Sequence, residues 1–167
     1  MSDTLELLTS IPVHTQMEPG QQFAKTPPHI TILPWATIDS DHWPIIDQKL
    51  AQDVSPTNLE YYPLVAAAYT DQFGLEEDEP VKRLVSIDFF AVHAMVQVLF
   101  TRHYAEFDTT HTGANGWHGH ITLTDREYER WEEIPCNELV VAQKVSSELK
   151  RVQSVYHWRE PINATTS

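Results

Sequence analysis

Two short segments carry the residues whose types and spacing could do chemistry. They are Pro28-His29-Ile30-Thr31-Ile32 and Gly119-His120-Ile121-Thr122-Leu123. Both read His, apolar, Thr, apolar, and the second histidine follows the first by 91 positions in a chain of 167. Successive side chains of an extended strand point to opposite faces. His29 and Thr31 are therefore expected on one face, and Ile30 and Ile32 on the other. The second copy predicts the same for His120 and Thr122 against Ile121 and Leu123. Each copy would set an imidazole and a hydroxyl about 6–7 Å apart along the strand, backed by apolar anchors. An imidazole, with an ordinary pKa of about 6.5, gives and takes protons near neutrality. A hydroxyl can hold and stabilise a charged oxygen.

The doubled His-apolar-Thr-apolar pattern, with most of a hundred residues between its copies, resembles the 2H phosphoesterase superfamily, the LigT-like 2′-5′ RNA ligase and cyclic phosphodiesterase group. The motif resemblance is local; element order extends it over roughly residues 4–160. It implies an α+β, two-lobed LigT-like fold, in which two antiparallel sheets with flanking helices form a cleft and one motif lies on each inner wall. It also implies a metal-independent phosphodiesterase without a cofactor. Residues 1–160 would be one domain of two pseudo-repeated lobes, and 161–167 a C-terminal tail. His29 and His120 are the expected acid–base pair, since cleaving a phosphodiester needs one proton removed and another delivered. Thr31 and Thr122 would hold the phosphate oxygens. Which histidine is acid and which is base stays open. The implied substrates are 2′,3′-cyclic phosphate ends, 2′-5′ linkages or cyclic nucleotides.

Composition narrows the partners. The chain has 24 acidic and 11 basic residues, for a formal charge of -13. Broad binding to long nucleic acid needs a basic footprint, so a nucleotide or short oligonucleotide is the expected partner. The apolar content of 41% is ordinary for a domain with a real core. The single cysteine, Cys136, permits no intrachain disulfide and fits a reducing compartment. No apolar run is long enough to span a membrane, and Met1 to Thr4 lacks signal-peptide features. A cytoplasmic monomer is expected.

The elements that must position the motifs follow from periodicity and punctuation. Leu5 to Val13 reads as a first strand, and His14 to Lys25 as a loop or short helix. Pro27-Pro28 forces an extended approach to His29. Ile30 to Trp35 is the first motif strand, with Pro34 expected near its end or on an edge. Asp39, Ser40 and Asp41 are candidate caps for a helix with Pro44 in its first turn. That helix is expected to bury Ile45, Ile46, Leu50 and Ala51. Leu59 to Tyr69 and Val81 to Asp88 read as strands. Ala91 to Glu106 reads as a helix that buries Val92, Met95, Val96, Leu99 and His103. Asn115-Gly116 marks a turn before the second motif strand at about Trp117 to Thr124. Asp125 to Trp131 fits a turn of helix. Leu139 to Ser147 and Val152 to Trp158 form an expected closing antiparallel pair.

Residues beside the motifs are further binding candidates. Trp35 and Trp117, then Tyr62, Phe73 and Tyr156, could stack on a nucleobase or simply pack. Lys25, Arg126 and Arg130 flank the motif strands and could steer a phosphate. His118 shares a face with His120 on a regular strand, as a substrate contact or a rim residue. With His111 it could also be read as a metal site, but no carboxylate or cysteine ligand motif accompanies it. No metal is expected. Two other readings are a non-catalytic nucleotide- or protein-binding module on the same fold, and a histidine-rich metalloprotein.

Overall fold

The computed structural model describes residues 3–13, 15–54, 64–66, 81–85, 87–108, 120–122, 132–134 and 136–157, with the backbone alone at 64–66, 81–85, 87–90, 120–122 and 132–134. Two strands from opposite ends of the chain build its centre. β1 (Thr4–Pro12) pairs antiparallel with β3 (His29–Asp39) on one side and with β9 (Glu138–Lys144) on the other. β10 (Lys150–His157) pairs with β9, and the short β2 (Gln22–Phe23) pairs with β10. β6 (Glu106–Phe107) closes the far edge against Ala36 and Thr37 of β3. The result is a six-stranded antiparallel sheet in the order β2-β10-β9-β1-β3-β6. Both neighbours of β1 are long strands, so both of its edges are paired. Leu7 and Ile11 are buried on one face, Leu8 and Ser10 on the other.

Two helices cover one face. α1 (Trp43–Asp53) follows a 3-10 turn at Ser40–His42, whose first turn is capped by the Asp39 carboxylate accepting from the Asp41 N–H. Pro44 sits at the start of α1, where its missing N–H costs nothing. α2 (Ile87–Arg102) packs on β3. The core between helices and sheet holds Trp43, Ile46 and Leu50 of α1, Val92, Val96, Leu99 and Phe100 of α2, and Ile30, Ile32, Leu33, Ala36 and Ile38 of β3. On the opposite face of the sheet, Met17, Val140 and Val152 form a smaller cluster with Phe23 and Val155.

Four short strands pair antiparallel in the order β7-β5-β4-β8: β7 (His120–Thr122), β5 (Val81–Val85), β4 (Leu64–Ala66) and β8 (Glu132–Ile134). Among the described residues, β7 joins no ladder with the six-stranded sheet. Its backbone nevertheless approaches β3, with Cα atoms within 8 Å. Among the described residues no helix is long and apolar enough to cross a membrane.

Several expectations need correction. The segment from His14 to Lys25, expected to be a loop or short helix, contains β2. β3 does not stop at Pro34 but runs on to Asp39. The register with β1 shifts between Leu7 and Thr9, opposite Ala36 and Leu33, which puts Pro34 in a bulge where no ladder N–H is needed. α1 buries Trp43, Ile46 and Leu50, while Ile45 is 56% exposed and Ala51 is exposed. α2 starts four residues before Ala91 and ends at Arg102, and Glu106 belongs to β6. Phe100 joins its buried face, whereas Met95 and His103 are only partly buried. β8 was not expected. Residues 109–119 and 123–131, which include the expected Asn115-Gly116 turn and the helical turn after Asp125, lie outside the described residues.

Candidate functional site

The first motif follows the predicted alternation. Ile30 and Ile32 are fully buried in the core, while His29 and Thr31 are partly exposed on the other face of β3. The Pro27-Pro28 pair delivers the chain to His29 extended, and the Pro28 carbonyl accepts from the Val13 N–H at 3.0 Å. His29 Nδ1 lies 2.8 Å from the Pro27 carbonyl oxygen. A carbonyl oxygen only accepts, so Nδ1 carries the proton and donates. The neutral ring is then the Nδ1–H tautomer, with Nε2 as the nitrogen that can take or release a proton. Hydrogen bonding of one ring nitrogen to a fixed backbone group also sets the ring's orientation.

The register with β1 adds a neighbour that sequence reasoning missed. Ser10 stands opposite Thr31, and Pro12 stands opposite His29. Directly opposed residues have Cβ atoms about 4.5–5.5 Å apart, so a second hydroxyl lies beside that of Thr31. Ser10 is 3% exposed. Its one local signal was a hydroxyl at the centre of an apolar strand. Beyond Thr31 the alternation breaks: Ile32 and Leu33 are both buried, and Pro34 and Trp35 are both partly exposed. Trp35 therefore lies past the bulged stretch, four residues from Thr31, and its carbonyl accepts from the Asp108 N–H at 2.8 Å.

For the second motif the backbone places His120 and Thr122 on β7, paired with Arg83 and Val81 of β5 respectively. Arg83 is thus the residue opposite His120 in register, a cation the sequence reading passed over. Tyr62, Phe73, Trp117, His118, Arg126 and Arg130 lie outside the described residues, as does His111. Lys25 is exposed on the approach to β3. Tyr156, read as a possible stacking platform, is a core residue: it is 6% exposed and its hydroxyl donates to Asp47 at 2.6 Å. Burial and that carboxylate both push its pKa up. Among the described residues no three potential metal ligands gather in one place.

Other titratable groups have structural partners. His42 and His103 join the start of α1 to the end of α2, with their Nδ1 atoms 2.9 Å apart. Glu138 is buried and accepts from the Met17 N–H at 2.9 Å, with His157 Nδ1 at 3.5 Å from its other oxygen. Burial raises its pKa, against the pull of those two neighbours. Cys136 is buried, and burial raises its thiol pKa well out of the reactive range.

No protein-family model matches the chain, and no curated protein matches it in sequence. Solved structures do resemble it. E. coli LigT complexed with NADP+ superposes with a TM-score of 0.54 at 12% identity, covering 93% of this chain and 98% of that one. E. coli LigT complexed with 3′-AMP gives 0.54 at 11% identity over the same shares. A crystal structure described as a phosphoesterase gives 0.54 at 12% identity, again over 93% and 98%. At such identities the likeness is one of fold. The chain has a LigT-like fold: a mixed α and β architecture with a six-stranded antiparallel sheet and few helices.

Proposed function

We propose that the chain is a metal-independent phosphodiesterase acting on a small nucleotide or an RNA-terminal phosphodiester. The observation that carries this reading is the face of β3. His29 and Thr31 lie side by side there, Nδ1 of His29 is committed to the Pro27 carbonyl, and the strand bearing the second His-apolar-Thr comes within 8 Å of β3 between Cα atoms. In this reading residues 1–160 form one domain of two lobes, 161–167 are a tail, and the substrate lies in a cleft between the two strand sets. One of His29 and His120 removes the proton of the attacking oxygen, and the other delivers a proton to the leaving oxygen. Thr31 and Thr122 hold the non-bridging oxygens as charge builds on them. Trp35, Trp117 or Tyr62 stacks on the base, and Arg126 and His118 contact the phosphate side. The solved LigT structures hold NADP+ and 3′-AMP, which supports a nucleotide-sized ligand for this fold. The protein acts as a monomer in a reducing, cytoplasmic setting.

The test is a turnover screen in excess EDTA, comparing the wild type with a His29→Ala, His120→Ala variant. The panel holds 2′,3′-cyclic mononucleotides, 2′-5′ and 3′-5′ dinucleotides, and cyclic di- and trinucleotides. Turnover of one class by the wild type alone supports the reading and names the linkage. Each histidine is expected to contribute about 10²–10⁴ in rate, and the profile to be bell-shaped around neutrality. Activity that chelation abolishes, or a flat profile from about pH 5 to 9, counts against the pair. Binding of 3′-AMP without any turnover would point to a binding module on the same fold.

A further inference from the structure

β3 is irregular where it carries the motif, and one histidine from α2 reaches that irregularity. The register runs Ser10 to Thr31 and then Thr9 to Leu33, so Ile32 has no partner residue on β1. On its other edge β3 pairs with β6 only at Ala36 and Thr37. Among the described residues, Ile32 thus lies in a stretch where the ladder is interrupted on one side and has no paired strand on the other. Its side chain is fully buried, and a buried carbonyl without a partner is costly. His93 Nδ1 lies 2.6 Å from the Ile32 carbonyl oxygen. Because that oxygen only accepts, the imidazole donates its Nδ1–H.

We propose that His93 is a positioning residue for the motif strand: by donating to the Ile32 carbonyl, it fixes the Ile32–Leu33 peptide, one residue beyond Thr31, and so sets the aim of Thr31 and His29. The proposal rests on the phosphodiesterase reading above for its effect on rate. A bulge re-aims the side chains around it, and its direction is only as well defined as the bonds that hold it. His93 supplies such a bond from a helix that is itself anchored in the core by Val92 and Val96. Burial lowers the basicity of the His93 ring, which keeps it neutral at physiological pH. Its task is to hold a carbonyl, and the proton economy of the reaction stays with the motif histidines.

The test compares His93→Leu with His93→Asn, whose amide N–H falls near the position of Nδ1–H. Each is assayed for kcat and KM, for thermal stability, and for the ring nitrogen signals of His29 by NMR. His93→Leu is expected to lower kcat by about 10–10²-fold with KM changed less than about threefold, and to move the His29 signals. His93→Asn is expected to recover most of the rate and the wild-type His29 signals. A folded His93→Leu protein with wild-type kcat and unmoved His29 signals overturns the proposal. So does an Asn variant as impaired as the Leu variant. Should His93→Leu fail to fold, the wild-type His93 ring decides: the nitrogen shifts must report the Nδ1–H tautomer, and an Nε2–H ring would overturn it. If the wild type turns over no substrate, the phosphodiesterase reading fails. The His29 signals still answer whether His93 positions the strand.

Discussion

A backbone carbonyl has no proton to give, and that fact orients two histidines of this protein. The Pro27 oxygen fixes the tautomer of His29, and the Ile32 oxygen that of His93. The consequence for His29 is testable apart from any general loss of structure. His29→Asn keeps a donor for the Pro27 carbonyl but nothing that titrates near neutrality. It should hold the wild-type melting temperature while losing about 10²–10⁴ in kcat on whichever panel substrate is turned over. An Asn variant that retains the rate would remove His29 from the proton transfer. Thr9 makes the opposite case. Its hydroxyl is fully buried and has no hydrogen-bond partner among the described residues, and nothing in the structure explains it. A buried unmade hydrogen bond costs about 1–3 kcal/mol, so Thr9→Val should raise the free energy of unfolding by about 1 kcal/mol in denaturant titration. The face shared by His29 and Thr31 was legible from a two-residue period. Ser10 beside Thr31 was not, because cross-strand register is a long-range property that no local pattern encodes.

The elements show the same division between local signals and tertiary ones. The Asp39 cap of the 3-10 turn before α1 and Pro44 at the start of α1 were legible because each acts within a few residues, although α1 itself has no side-chain cap. Which apolar residues of α1 face the core was misread, since Trp43 rather than Ile45 completes the buried stripe with Ile46 and Leu50. Pro34 is expected at the end of the strand or near an edge; that the strand instead runs on past it was hidden, because the bulge that accommodates it depends on the partner strand. The end of α2 was also hidden. Tyr104 takes a positive φ of 58°, with the Ala105 N–H returning to the Phe100 carbonyl at 3.1 Å, a left-handed helix end that usually calls for glycine. Tyr104 is 85% exposed and gives up little packing. Tyr104→Gly should therefore stabilise the fold by about 1 kcal/mol, read from chemical denaturation. A loss instead would mean that the edge-on contact of the Tyr104 ring with His42, at 6.3 Å between centroids, outweighs the backbone strain. Glu138 ties the segment after β1 to β9 through the Met17 N–H. Its pKa is raised on folding, so the native state holds its proton more tightly than the unfolded chain does. Its contribution to stability is fullest below about pH 4.5 and is lost as pH rises through the folded value. Glu138→Gln keeps an acceptor for Met17 without the charge. The variant should melt above the wild type at about pH 8, with the gap closing toward about pH 4. A variant that melts lower at the higher pH would show the carboxylate's contacts with Met17 and His157 to outweigh its burial.

For the whole molecule, the charge of -13 sets the terms on which the proposed nucleotide substrate would arrive. On the proposed reading, a nucleotide would approach against that net negative charge before the short-range contacts of the site take over. The two effects differ in range. Added salt screens exposed charges beyond a Debye length of about 10 Å at 0.1 M, and it weakens close, partly buried contacts much less. Repulsion also grows with the number of phosphates that remain outside the pocket, whereas pocket contacts do not. Raising the ionic strength from about 0.01 M to 0.15 M should therefore raise kcat/KM for a longer oligonucleotide relative to a cyclic mononucleotide ending in the same linkage. The change should appear in KM, because steering acts on encounter and leaves the chemical step alone. A basic groove tracking a long strand behaves in the opposite way: salt would lower kcat/KM for the longer substrate, and lower it more steeply with each added phosphate. The sign of that ratio's response to salt thus separates a protein built around a short or cyclic nucleotide from one that reads the end of a long RNA, and it needs no variant.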